Sequence, residues 1–127
     1  MNSKANKRKG ASYETDLVKT IREDGFETDR LPKAGSKDEG DLVVRLPGFH
    51  IVLEAKNVKT ITLPEFIRQA QEEANNYSQA RGCTTFGAAV IKRRNQSIEK
   101  SFTVMELGDY LDLLKLFSSS KIGRAHV

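Results

Sequence analysis

Asp41, Glu54 and Lys56 are the residues whose types and spacing could do chemistry, two acids able to share a divalent cation and an amine beside them. Residues 41–46 and 49–56 each read as a strand, and Pro47-Gly48 between them is a turn signal. A hairpin centred on that turn sets Asp41 opposite Glu54, with Cβ atoms roughly 5 Å apart. Lys56 lies two residues beyond Glu54, so its side chain leaves the same face. A longer loop from Leu46 to Phe49 keeps this register; a bulge or an odd-length loop breaks it. Carboxylates opposed in a sheet repel each other. Three arrangements offset this: a divalent cation between the acids, with its other positions open to water and phosphate; a salt bridge from Lys56 to Glu54; or a strand end wet enough to screen the pair.

The surroundings narrow the choice. The opposite face of the hairpin carries Leu42, Val44, Leu46, Ile51, Leu53 and Ala55, while Val43 and Val52 share the face of the triad. Both faces are apolar enough to be covered, and ionisable groups at the end of such a sheet need partners. Glu14 is a further candidate. It lies four residues before Val18 and seven before Ile21 in a helix expected from about Ala11 to Asp24 and stopped by Gly25. That spacing aims its carboxylate at the core side; the alternative is an acid favoured by the positive N-terminal end of its helix.

The elements that must position these groups follow from the rest of the pattern. Residues 26–32 read as a short strand, 33–40 as a polar loop, 63–80 as a long helix ended by Gly82, 85–91 as a buried strand and 98–102 as another. Thr103 to Glu106 match a capping box ahead of an amphipathic stretch from Leu107 to Phe117. The order α-β-β-β-α-β-β-α implies an α/β fold, a mixed central sheet flanked by helices. The chain has 127 residues, 38% hydrophobic and 30% charged, which suits one soluble domain. It divides into a flexible basic arm over 1–9, a domain over 10–117 and a tail over 118–127. The last six residues, Ile122 to Val127, look like adapter read-through rather than native sequence and are set aside.

Composition also excludes. The longest purely apolar run, Ala88 to Ile91, is far too short to span a membrane, and no apolar stretch follows the basic N-terminus as a secretory signal requires. Cys83 is the sole cysteine, which excludes a disulfide framework and a cysteine zinc site, and favours a reducing cytoplasm. Lys33-Ala34-Gly35-Ser36 lacks the spacing of a nucleotide-binding loop, so no nucleotide cofactor is expected. The net charge is +4. Lys4, Lys7, Arg8 and Lys9 form one basic cluster and Lys92, Arg93 and Arg94 a second, compatible with a polyanionic partner.

Asp41 followed by Glu54-Ala55-Lys56 resembles the (P)D…(D/E)xK signature of restriction-endonuclease-like nucleases. Gly10-x-x-Tyr13-Glu14, Arg30, Ser36 and Gly40-Asp41-Leu42 bring the resemblance closer to Holliday junction resolvases of archaeal and phage type. Gly40 stands where the signature has Pro. The resemblance spans roughly residues 7–94 and implies a restriction-endonuclease-like fold in which Asp41, Glu54 and the carbonyl of Ala55 bind Mg²⁺ or Mn²⁺. Glu14 would join them directly or through water, and Lys56 would orient the attacking water or stabilise the transition state. Ser36 would touch the phosphate near the cut. Either Gln69 or Gln71 would face the site, with Gln69 the neighbour of the apolar stripe. Lys7, Arg8, Lys9, Arg30, Lys33, Lys37 and Lys92 are candidate phosphate contacts.

The resulting expectation is a metal-dependent deoxyribonuclease acting on branched DNA as a homodimer, in the cytoplasm of a bacterium or phage-infected cell. A four-way junction is two-fold symmetric, as is a dimer. Two other readings stand beside it: a nuclease of the same fold cutting flaps, forks or foreign DNA, and a nucleic-acid-binding module with structural carboxylates.

Overall fold

The computed structural model describes residues 3–33 and 37–119, with side chains from residue 8 onward. Helix α1 occupies Ser3–Glu23 and so starts well before Ala11. Residues 3–9, expected as a flexible arm, are helical. Lys, Ala and Arg are good helix formers, but the segment lacks the apolar periodicity by which a sequence announces a helix. The tail from 122 onward, expected to be non-native, lies outside the described residues.

Strands β1 (Glu27–Arg30), β2 (Leu42–Leu46) and β3 (Phe49–Lys56) form an antiparallel meander. In the β2–β3 hairpin Leu42 faces Leu53, Val43 faces Val52 and Leu46 faces Phe49, the register expected from a turn at Pro47-Gly48. Proline presets its own φ, and Gly48 supplies the positive φ of +88° that such a turn needs. Helix α2 (Leu63–Arg81) has Pro64 in its first turn and stops at left-handed Gly82, whose N–H bonds the Ser78 carbonyl at 2.7 Å. It carries the chain to β4 (Thr85–Ile91), parallel to β3. Strand β5 (Phe102–Val104) pairs antiparallel with β4, and helix α3 (Leu107–Ser118) follows. The five strands lie in the order β1-β2-β3-β4-β5, so the order of elements and the mixed sheet match expectation.

Two local expectations fail. The strand expected over residues 98–102 is a single 3₁₀ turn, Ile98–Lys100, closed by the Ser101 N–H on the Ile98 carbonyl; only Phe102 enters β5. The capping box is not formed. Thr103 pairs with Val90 in the sheet, and Glu106 stands at the N-cap without a side-chain cap bond.

Helices cover both faces. Tyr13, Leu17 and Val18 of α1 pack on Leu42, Leu53, Ala88 and Val90. On the other face Ala74 and Tyr77 of α2 meet Val43 and Val52, and Phe66 meets Ala89 and Ile91. Small residues let α2 and β4 approach closely: a Cβ on Gly87 would collide with the Ala70 carbonyl. Tyr77 is core, as its helical spacing suggests. His50, beside the turn, is half-buried, its Nδ1 lying 2.8 Å from the Tyr77 hydroxyl. Cys83 is half-buried nearby.

Candidate active site

Asp41 sits where β2 enters the sheet. Gly40 has φ +104°, and the Asp38 carboxylate accepts its N–H at 2.9 Å, which turns the chain sharply into the strand. The Asp41 N–H then bonds the Leu53 carbonyl at 3.0 Å, and the Asp41 carbonyl accepts the Leu31 N–H at 2.9 Å. The residue is therefore pinned between its two neighbouring segments. Its Oδ2 reaches across and accepts the Ala55 N–H at 2.8 Å, while Oδ1 receives the Lys33 ammonium.

Glu54 points into the α2 layer. Its Oε2 accepts Gln69 Nε2 at 3.0 Å and lies 3.2 Å from the Lys56 ammonium. Lys56 also donates to Gln69 Oε1 at 2.9 Å and stands 5.0 Å from the centroid of the Phe66 ring. Gln69 thus ties acid and amine together from the helix, using both ends of its amide. Gln71, one residue pair further along α2, turns away to Glu106 and Asp109. The choice between the two glutamines falls to Gln69.

Sequence reasoning missed Glu73. It is 2% exposed, with Oε2 3.4 Å from Gln69 Nε2. Burial first, then the hydrogen bond and charge of Glu54, push its carboxyl up to about 10, so it holds a proton at neutral pH. Burial likewise raises Glu54; a hydrogen bond with Glu73 offsets part of this and the charge of Asp41 adds to it. Burial also opposes the charge on Asp38, but the Gly40 N–H, Glu73 and Lys33 outweigh it and hold that acid below its usual range. The signal for Glu73 was present: it lies seven residues after Phe66 and four before Tyr77, on the same stripe. The reasoning applied to Glu14 on α1 applies equally to it.

Glu14 lies on helix α1. Its helix covers the opposite face of the sheet from Glu54, and its Oε1 takes the Arg30 guanidinium at 2.9 Å. Its charge is felt at Lys33, across the sheet end from Asp41. Among the described residues no three His, Cys, Asp or Glu side chains converge on a common metal position. The donors that do converge are the Asp41 and Glu54 carboxylates beside the Ala55 peptide, and this set suits a hard divalent ion, which is often held by only one or two carboxylates with water completing its shell. Two observations support the fit. Asp41 and Glu54 are both buried, so the charge of one opposes the charge of the other, and Asp41 Oδ1 already attracts an ammonium.

Of the expected phosphate contacts, Arg8, Lys9, Lys37 and Lys92 are exposed. Ser36 and the side chain of Lys7 lie outside the described residues. Beyond the Lys56 strand end, from Asn57, opens a groove of about 730 Å³ walled by Lys9, Lys59, Lys92, Arg93, Arg94 and Phe102. Lys92 is fixed to the site's own strand, its N–H bonding the Lys56 carbonyl at 2.9 Å.

An acid and a Glu-x-Lys run at adjoining ends of a mixed sheet, with helices on both faces, define a nuclease of the PD-(D/E)xK class. Residues 5–107 match the family model described as archaeal Holliday junction resolvase (Hjc). That is most of the 127 residues, and the chain belongs to this family of metal-dependent endonucleases of DNA recombination and repair. Among solved structures it is similar to Hjc of Archaeoglobus fulgidus, a Holliday junction resolvase from an archaeal hyperthermophile, at 18% identity and a TM-score of 0.49, over 80% of this chain and 92% of that one. The family is archaeal; the expected phage kinship and bacterial or phage-infected setting are not supported. No helix among the described residues is long and apolar enough to cross a membrane.

Proposed function

We propose that the chain cleaves four-way DNA junctions as a homodimer, at a site where Asp41, Glu54 and the carbonyl of Ala55 hold Mg²⁺ or Mn²⁺. The observation that carries this reading is the pair of buried carboxylates, Asp41 and Glu54, set beside each other and the Ala55 peptide. Such a pair is costly unless a proton or cation meets it. When bound, the ion's chemistry is that of a Lewis acid, neutralising phosphate charge and lowering the pKa of water.

The remaining work falls to the chain's own groups. Asp41, held by the Ala55 N–H, fixes one side of the site. Lys56 presents its ammonium to the attacking water or a phosphate oxygen, where positive charge is needed as the transition state forms. Gln69 holds that ammonium against Glu54, so the amine cannot swing into solvent. Glu73, keeping its proton, spares the cluster a further negative charge and serves Glu54 as a hydrogen-bond donor. Glu14, paired to Arg30, contributes negative charge from the far layer rather than a direct ligand. Lys9, Lys92, Arg93 and Arg94 guide phosphates along the groove that leads from the site. Two copies related by a two-fold axis place two such sites on a substrate of the same symmetry.

The experiment uses a labelled four-way junction with and without Mg²⁺. The natural protein gives paired nicks only with the ion. Glu54→Gln binds the junction equally in a gel shift but cuts at least about 100-fold more slowly, since even outer partners of a metal site are worth 10–100-fold. Cutting at the natural rate by this variant overturns the reading.

A further inference from the structure

The groove beyond the Lys56 strand end holds more than charge. Its charged lining residues are five, all Lys or Arg, with no acid among them. Val58, Ile61 and Phe102 line it as well, and each is exposed, at 47%, 49% and 48%. Exposed apolar residues scattered singly are ordinary, but three gathered in one concavity mark a binding surface. The phosphates of a duplex are met by positive charge, so these three side chains answer to some other part of the occupant.

Their position ties them to the acids. Lys56 of β3 pairs with Ile91 of β4, and Ile91 pairs with Phe102 of β5. Residues paired across a sheet share a face, so Lys56 and Phe102 stand in one row on the α2 side. Two strand spacings separate them, about 10 Å, which is a few base steps along one DNA strand. The ring is also held in place. The Arg93 guanidinium stands 4.5 Å from its centroid, a cation–π contact, and Arg93 donates to the Lys100 carbonyl at 3.5 Å. Val58 and Ile61 come from the connection between β3 and α2.

We infer that Phe102, with Val58 and Ile61, receives unstacked bases of the bound strand and so separates branched from linear DNA. The inference rests on the junction reading given above. In a linear duplex every base face is covered by its neighbours. At a branch the stack is interrupted, and a base face passes to an aromatic ring or an apolar wedge. Charge excludes a second copy seated groove to groove, since five cations would meet five. An anionic membrane would satisfy the charge, but the groove runs on from the strand end that carries Glu54 and Lys56, where the Lys92 N–H bonds the Lys56 carbonyl. Its occupant is therefore continuous with whatever those residues act on.

The test compares the affinity of the full chain for a four-way junction and for linear duplex, by gel shift in chelator. The natural chain should prefer the junction. Phe102→Ala should lower the ratio of the two affinities about 10-fold, the scale of one lost base stack, and Phe102→Tyr should restore it. A 2-aminopurine beside the branch reports the stacking itself: its emission should change on binding the natural chain or Phe102→Tyr, and stay at its free-junction level with Phe102→Ala. A ratio that Phe102→Ala leaves intact overturns the assignment, as does a loss shared equally by junction and duplex. A changed solution mass of this variant also overturns it, making the ring a contact between copies. Should Phe102→Ala fail to fold, Ile61→Ser takes its place: a lowered ratio supports the assignment and an intact one overturns it. In each of these cases junction cutting by the natural chain with Mg²⁺ leaves the proposed function standing, whereas no cutting overturns that reading too.

Discussion

Burying three acids within reach of one another is costly, and the site is legible as the means of bearing that cost. Asp41 is offset by a peptide N–H and Lys33, Glu54 by Lys56 and Gln69, and Glu73 by retaining its proton. A consequence for stability follows. Glu73 has an ordinary value of 4.5 in the unfolded chain and about 10 in the fold, so between these limits the folded state holds the extra proton and stability falls as pH rises. Burial and the charge of Asp41 move Glu54 the same way. In chelator, Glu73→Gln should therefore raise the melting temperature at pH 8 by several degrees and flatten its decline between pH 5 and 9. A variant as steep as the natural protein would show that Glu73 ionises freely. Asp41, Glu54 and Lys56 could be placed from sequence because hairpin register is set by a turn two residues wide, and every later position inherits it. Glu73 escaped because its neighbours Phe66, Ala70, Ala74 and Tyr77 read as pure core. The stripe of Glu14 is legible, but that its helix covers the other face of the sheet is a fact of tertiary packing that no local pattern contains.

At the level of elements, the active face depends on how closely α2 approaches the sheet, since Gln69 and Glu73 must reach Glu54 from that helix. Ala70, Ala74 and Gly87 permit the approach. Gly87→Ala should cost about 2–3 kcal/mol, the scale of an overpacked core, read as a lower urea midpoint, and should weaken Mn²⁺ binding as the helix is displaced. An unchanged midpoint would mean that α2 and β4 sit further apart. Element order was readable because apolar periods switch cleanly between 2 and 3.6. Boundaries were not. The start of α1 is written in Lys and Arg, which carry propensity without periodicity, and Thr103 looked like a cap until pairing with Val90 claimed its backbone for β5.

For the whole molecule, the proposed function depends on the basic groove as much as on the acids. The net charge of +4 is modest, so affinity for DNA must come from where the charge lies. Each phosphate contact contributes roughly one unit to the slope of log affinity against log salt. Lys92→Ala should therefore lower that slope by about 1 between 50 and 200 mM salt and weaken junction and duplex binding alike. Gel shifts over that range check it; an unaltered slope would place the DNA elsewhere on the surface. The groove itself was foreshadowed only in part. Lys92, Arg93 and Arg94 stood out as a cluster, but Lys9 and Lys59 join them through the folding of α1 and the β3–α2 connection.

The measurement that bears most directly on the central claim is a calorimetric titration of Mn²⁺ into the natural chain and into Asp41→Asn/Glu54→Gln. If these two acids form the cation site, the natural chain binds Mn²⁺ in the millimolar range or tighter and the folded double variant shows no binding there. Equal binding by both proteins would contradict the account.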